Sequence, residues 1–108
     1  MYCVVYSSDA RPGTTAEDVA RIIEQAEAAN TRSRITGALV FDGDRFCQLL
    51  EGERAQVNRT MERIRRDMRH SNIKIIGACD SLARRFPGWS MLQVEGAEFE
   101  DVLEALTA

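Results

Sequence analysis

The segment "ITGALVFDGDRFCQLLEG", residues 35–52, constrains the fold more than any other stretch of the chain. Two apolar-rich runs, 35–41 and 45–51, flank Asp42-Gly43-Asp44. An Asp-Gly between such runs is the strongest short hairpin signal. The hairpin commits the chain to a sheet with at least one antiparallel pair. In its second strand, alternation puts Phe46, Gln48 and Leu50 on one face and Cys47 and Leu49 on the other. Gln48 therefore raises a question. A buried amide is costly without partners, and its neighbours on that face are apolar.

Elements before and after the hairpin follow from periodicity. "YCVVY" (2–6) reads as a short strand, and "SSDARPG" as a loop broken by Pro12 and Gly13. Thr14 and Glu17 sit at capping-box spacing and predict a helix from about Thr15. Val19, Ile22, Ile23 and Ala26 form its apolar stripe. Asn30 falls on that stripe at the helix end, where a left-handed terminating residue is the alternative reading. After Glu51-Gly52 a second helix carries Val57, Met61, Ile64 and Met68 on its inner face. The basic run "RIRRDMRH" (63–70) lies late in it. "NIKIIGACD" (72–80) reads as a strand, Pro87-Gly88 as a turn, and a last strand begins near Trp89. Phe99, Val102, Leu103 and Leu106 share one face of a short terminal helix. The order βαββαββ predicts an α+β, ferredoxin-like fold: one mixed sheet, two helices on one face, and a short C-terminal helix. Residues 1–94 form the predicted domain and 95–108 its capping helix. Tyr2, Val4 and Tyr6 are assigned to the helix-facing side, Cys3 and Val5 to the other.

Composition narrows the function classes. With 108 residues, 44% hydrophobic and 29% charged, the chain suits one ordinary globular domain. No apolar run approaches the ~20 residues of a membrane span, and the N-terminus lacks a signal peptide's basic and apolar regions. A net charge of −3 argues against a nucleic-acid partner. Cys3, Cys47 and Cys79 are far apart and each lies in a predicted strand, as reduced core thiols of a cytoplasmic protein do. They propose no metal site. His70 is the only histidine, and no Ser/His/Asp set or carboxylate pair can be assembled, so the chain is expected not to be an enzyme.

Tyr6, Asn30 and Gln48 thus point from three elements into one layer between sheet and helices. Each has an ordinary explanation: a tyrosine tied to a carbonyl, an asparagine ending a helix, a glutamine bridging to a loop. Together a phenol and two amides offer donors and acceptors suited to a flat ligand with alternating carbonyl and ring-nitrogen edges.

The segments "VVYSS", "ANTRSRITGALVFDGDRFCQLLEG", "RRDMRHSNIKII" and "RRFPGWSM" resemble those of the BLUF family, blue-light sensors that use flavin. The resemblance runs from about residue 2 to 93 without an obvious insertion. It implies a flavin ring between the two helices, FAD in the first instance, with FMN and riboflavin left open. By the same resemblance Tyr6 is the photoactive tyrosine, Gln48 the switching glutamine, and Asn30 the contact to the ring's polar edge. Arg69 and His70 would approach that edge or the ribityl side; cations closing a helix are the alternative. Ile22, Ile23, Ala26 and Ile64 would line the ring. Trp89 and Met91 would be the signalling pair, either of them beside Gln48. Positions 26 and 29 are alanine where some relatives carry polar residues.

The implied mechanism is electron and then proton transfer from Tyr6, rearrangement of the Gln48 amide, and a red-shifted state that reverts in darkness. The output would be a conformation read by a downstream protein or by a second copy of the chain. The rival is a BLUF-like binding or regulatory module without productive photochemistry.

Overall fold

The computed structural model describes residues 1–80, 82–88 and 90–93. Its elements are β1 (Tyr2–Ala10), α1 (Ala16–Arg32), β2 (Thr36–Phe41), β3 (Arg45–Gly52), α2 (Arg54–Arg65), β4 (His70–Asp80) and β5 (Leu92–Gln93). The sheet order is β4-β1-β3-β2-β5. β3 is antiparallel to both β1 and β2, and β1 to β4, while β5 joins β2 in parallel. The ferredoxin-like plan with one added strand is therefore present, and the sheet is mixed. Among the described residues no helix is long and apolar enough to cross a membrane.

The hairpin forms where the Asp-Gly signal puts it. Asp42 Oδ1 accepts the backbone N–H groups of Asp44 (3.0 Å) and Arg45 (2.8 Å). Those bonds hold the Asp42 carboxyl below the usual carboxylate range. Gly43 takes φ 104°, a conformation that glycine adopts without Cβ strain.

Alternation then sorts the side chains into two clusters. Val4, Tyr6, Leu39, Phe46 and Leu50 meet Val19 of α1 and Val57 and Met61 of α2 on the helix side. Cys3, Val5, Ala38 and Leu49 lie on the other side, with Phe86 packed against them. Each buried aliphatic or aromatic side chain contributes about 1.5–3 kcal/mol, so the helix-side face of β1 and β3 is the main anchor of α1 and α2.

Three expectations and two alternative readings are corrected. β1 runs on through Ser7, Ser8 and Asp9, read from sequence as loop, because β3 and β4 pair with it on both sides; paired neighbours override weak strand propensity. The capping box is Thr15 with Asp18, not Thr14 with Glu17. Thr15 Oγ1 accepts the Asp18 N–H (3.2 Å) and Asp18 accepts the Thr15 N–H (3.0 Å), while Thr14 Oγ1 donates to the Arg11 carbonyl. α2 stops at Arg65, so Met68 is not on its inner stripe; it is 87% exposed. Asp67 takes the Arg69 N–H (3.0 Å) and closes a turn, so Arg69 and His70 do not cap a helix. Asn30 stays helical inside α1, and Arg34 is the residue with φ 55°. The predicted terminal helix at 95–108 and the start of the last strand at Trp89 lie outside the described residues.

Gly37 marks the closest approach of β2 to β3. A Cβ there would lie 2.0 Å from the Leu49 carbonyl oxygen, whereas one at Gly77 would meet nothing within 4 Å. Gly37→Ala is expected to destabilise the protein by about 3 kcal/mol or more, and Gly77→Ala by no more than about 0.5 kcal/mol. Urea unfolding of the two variants checks this, and equal midpoints would contradict it.

Candidate functional site

The two helices do not close completely over the sheet. A cavity of about 620 Å³ lies between α1, α2 and the helix side of β1 and β3. That is within the usual span of small-molecule sites, about 300–1,000 Å³. Tyr6, Ile22, Ala26, Asn30, Gln48, Ile64, Arg69, His70 and Met91 all line it. Ile23 packs against the core beside them and does not line it. Trp89 lies outside the described residues.

The centre of the site is set by strand pairing. Tyr6 of β1 stands directly opposite Gln48 of β3. Both side chains face the helices, and the Tyr6 hydroxyl donates to Gln48 Oε1. Gln48 Nε2 donates in turn to Met91 Sδ at 3.4 Å. The buried amide thus has a partner at each end, one strong and one weak, since a thioether is a poor acceptor. Burial above all, with smaller effects from Cys47 and Asp67, pushes the Tyr6 phenol well above its ordinary ionisation range. Desolvation disfavours the phenolate, so the proton stays on Tyr6.

Asn30 offers the other amide. Its Nδ2 donates to the Ser90 carbonyl at 2.9 Å. Its Oδ1 is buried and has no hydrogen-bond partner among the described residues. An unmet buried acceptor costs about 1–3 kcal/mol, so this oxygen is suited to an N–H donor of a molecule in the cavity.

The basic pair is already engaged by the protein. His70 Nε2 donates to the Ile64 carbonyl (2.8 Å), and Nδ1 lies 2.7 Å from Ser8 Oγ. The carbonyl can only accept, so Nε2 carries a proton. The imidazole stands edge-on to the Phe46 ring at 6.2 Å. The Arg69 guanidinium donates to the Asp67 carboxylate at 2.5–3.0 Å and to Gln25 Oε1 at 2.7 Å. Hydrogen bonding from Arg69 holds the Asp67 carboxyl below its usual range, and Asp67 raises Arg69 in return. Arg32, Arg63 and Arg66 also line the cavity, and Asp67 is the only acidic lining residue among the described residues.

Sequence reasoning missed Ser8, Thr60, Asp67 and Gln25. Ser8 follows Tyr6 by two and would have been placed on the same face had the strand been extended. Thr60 bonds back to the Gln56 carbonyl at 2.9 Å, the ordinary disguise of a helical threonine. Gln25 and Asp67 carry no signal apart from their contact with Arg69.

The Tyr6 environment has a consequence at high pH. A phenol with a raised folded ionisation point leaves stability intact below the unfolded value, about 10. Above that, the unfolded chain loses a proton that the folded chain keeps, and stability falls by up to about 1.4 kcal/mol per pH unit. Cys3 and Cys47, pushed by burial to about 12 and about 11, act in the same direction. Comparing urea stability of the native chain and Tyr6→Phe from pH 8 to 11 isolates the tyrosine. The native chain is expected to lose more stability above pH 10, and identical slopes would contradict the assignment.

Comparison with known proteins identifies the family of the chain. The family described as "Sensors of blue-light using FAD" (BLUF) matches residues 1–92. The blue light- and temperature-regulated antirepressor BluF of Escherichia coli (strain K12) is 35% identical over 106 residues. The match covers 95% of this chain and 26% of that protein, so the chain spans about a quarter of its relative. The dark-state structure of BlrB, a BLUF protein, superposes with a TM-score of 0.83 at 31% identity, covering 97% of this chain and 80% of that one. A bacterial light-regulated adenylyl cyclase superposes with a TM-score of 0.83 at 30% identity, covering 98% of this chain and 34% of that one. The chain belongs to the BLUF family of blue-light sensors that use FAD.

Proposed function

We propose that this chain is a blue-light switch in which Tyr6 and Gln48 carry the photochemistry, with FAD as the chromophore held in the cavity. The observation that carries the reading is the buried hydrogen-bond chain from Tyr6 through Gln48 to Met91. Asn30 Oδ1, without a partner among the described residues, supports it, because the polar edge of an isoalloxazine presents a ring N–H between two carbonyls. Ile22, Ala26 and Ile64 supply apolar walls. Arg32, Arg63 and Arg66 supply charge suited to a phosphate-bearing tail.

When bound, flavin supplies blue-light absorption and an excited state oxidising enough to draw an electron from Tyr6. Before that event Tyr6 holds its proton firmly, as its raised ionisation point requires. Loss of an electron makes the phenol strongly acidic, and the proton moves to Gln48 Oε1 along the existing bond. Gln48 then reverses or tautomerises, exchanging its donor and acceptor ends, and return of the electron and of a proton to Tyr6 would restore the neutral phenol while the amide stays rearranged. The two ends have nearly the same shape, so a close-packed core accommodates the change. Met91 Sδ loses its donor, a weak bond that is easily given up. Each exchanged bond is worth about 0.5–1.5 kcal/mol net, so the rearranged state is metastable and reverts in darkness.

We infer that the output is a change of protein surface acting on a partner or a second copy, with no substrate turned over by this domain. The position of Met91 supports this, since it links Gln48 to the segment running into β5.

Two substitutions test the reading. The purified protein is expected to be yellow, and blue light is expected to shift its flavin absorption slightly to the red. Gln48→Leu should keep the flavin and abolish the shift. Tyr6→Phe should abolish it too, by removing the transferable proton. A normal shift in Gln48→Leu, seen in light-minus-dark difference spectra, would exclude the mechanism.

A further inference from the structure

On the face of the sheet away from the cavity, a carboxylate is completely buried. Glu51 is 0% exposed and follows Gln48 by three residues on β3, so the two side chains leave the strand on opposite faces. Glu51 Oε1 accepts from the Thr36 hydroxyl (2.9 Å) and the Phe86 N–H (2.8 Å), and Oε2 from the Arg85 N–H (2.8 Å). The neighbouring Arg84 guanidinium donates to Thr36 Oγ1 (2.8 Å), the Glu51 carbonyl (3.1 Å) and the Arg34 carbonyl (2.7 Å). A buried carboxylate is tolerated only when its lone pairs are met. Here two of the three donors are consecutive backbone groups of the connection between β4 and β5.

That connection crosses from one face of the sheet to the other. Phe86 packs on the outer cluster with Cys3, Val5 and Leu49. The chain then turns at Gly88, with φ 84°. On the cavity side, the Ser90 carbonyl accepts from Asn30 and Met91 Sδ accepts from Gln48. The connection is thus held on both faces, by Glu51 outside and by Asn30 and Gln48 within. The outer hold uses charge-assisted bonds, about twice as strong as neutral ones. The Gln48–Met91 bond is the weakest of the set.

We propose that Glu51 is a positioning residue for the switch: it fixes residues 84–86 so that Met91 is presented to Gln48, and thereby sets how long the rearranged amide persists. The inference rests on the reading of Gln48 given above. Holding Met91 in place favours the dark arrangement of the amide, so loosening the anchor should slow the return to it.

The test uses the flavin-loaded full chain and compares the native protein with Glu51→Gln and Thr36→Val. An amide at position 51 keeps the volume but turns one acceptor into a donor facing a backbone N–H. Dark-state hydrogen exchange at Arg85 and Phe86 is expected to rise about tenfold in Glu51→Gln. The size of the red shift should be unchanged, and dark recovery should slow about threefold, the worth of one weak hydrogen bond. Thr36→Val, which removes one donor and should fold even if Glu51→Gln does not, is expected to act in the same direction by less. Unchanged exchange at both amides would overturn the proposal. So would faster exchange with unaltered or quicker recovery, which would make Glu51 merely structural. Failure of the Gln48 reading is registered separately, in the spectrum of Gln48→Leu.

Discussion

The site depends on one register: β1 against β3, with Tyr6 opposite Gln48. A slip of one residue would turn Gln48 toward Cys3 and Val5 on the outer face, because side chains alternate with period two. Hydrogen bonding between the two side chains is too weak to prevent that slip, at about 0.5–1.5 kcal/mol net. Burial of Val4, Phe46 and Leu50 on the same face is worth about 1.5–3 kcal/mol for each side chain. Packing therefore decides where Gln48 goes, and the hydrogen bond decides only which way its amide points. This division suits a switch, because amide polarity can change while the register stays fixed.

The polar groups of the cavity are unequally held. Tyr6 is locked as a neutral phenol by burial, and Arg69 is locked by Asp67 and Gln25. His70 is tied through both ring nitrogens to Ser8 and Ile64. Two atoms are loosely held: Gln48 Nε2, against a thioether, and Asn30 Oδ1, with no partner among the described residues. On the proposed reading these are the groups left for the chromophore. On that same reading, these fixed surroundings would confine a rearrangement to one amide and to the Met91 segment that it touches.

Much of this was legible in the chain, for identifiable reasons. The hairpin was readable because Asp42-Gly43 specifies its own turn, and Gln48 was placed correctly because alternation leaves it one face. Asn30 was found from helical spacing alone. What was hidden depended on contacts distant in sequence. β1 extends past Tyr6 because β3 and β4 pair with polar residues that have little strand preference. α2 ends early because Asp67 recruits Arg69, a local competition that the apolar stripe through Met68 does not reveal. That Met91 neighbours Gln48 needed the path of the chain after Phe86, where Glu51, a residue that reads in sequence as a strand end, accepts the Arg85 and Phe86 N–H groups. The seven segments and their order were legible; the lengths set by tertiary pairing were not.

The central claim is that light reverses the Gln48 side-chain amide while the sheet around it keeps its register. The most direct measurement is nitrogen-edited NMR of the flavin-loaded protein with labelled glutamine side chains, taken in darkness and under blue light. The account predicts that the Gln48 amide protons move on illumination and return in the dark, while those of Gln25 and Gln56 stay in place. Unchanged Gln48 signals under light that shifts the flavin spectrum would contradict it.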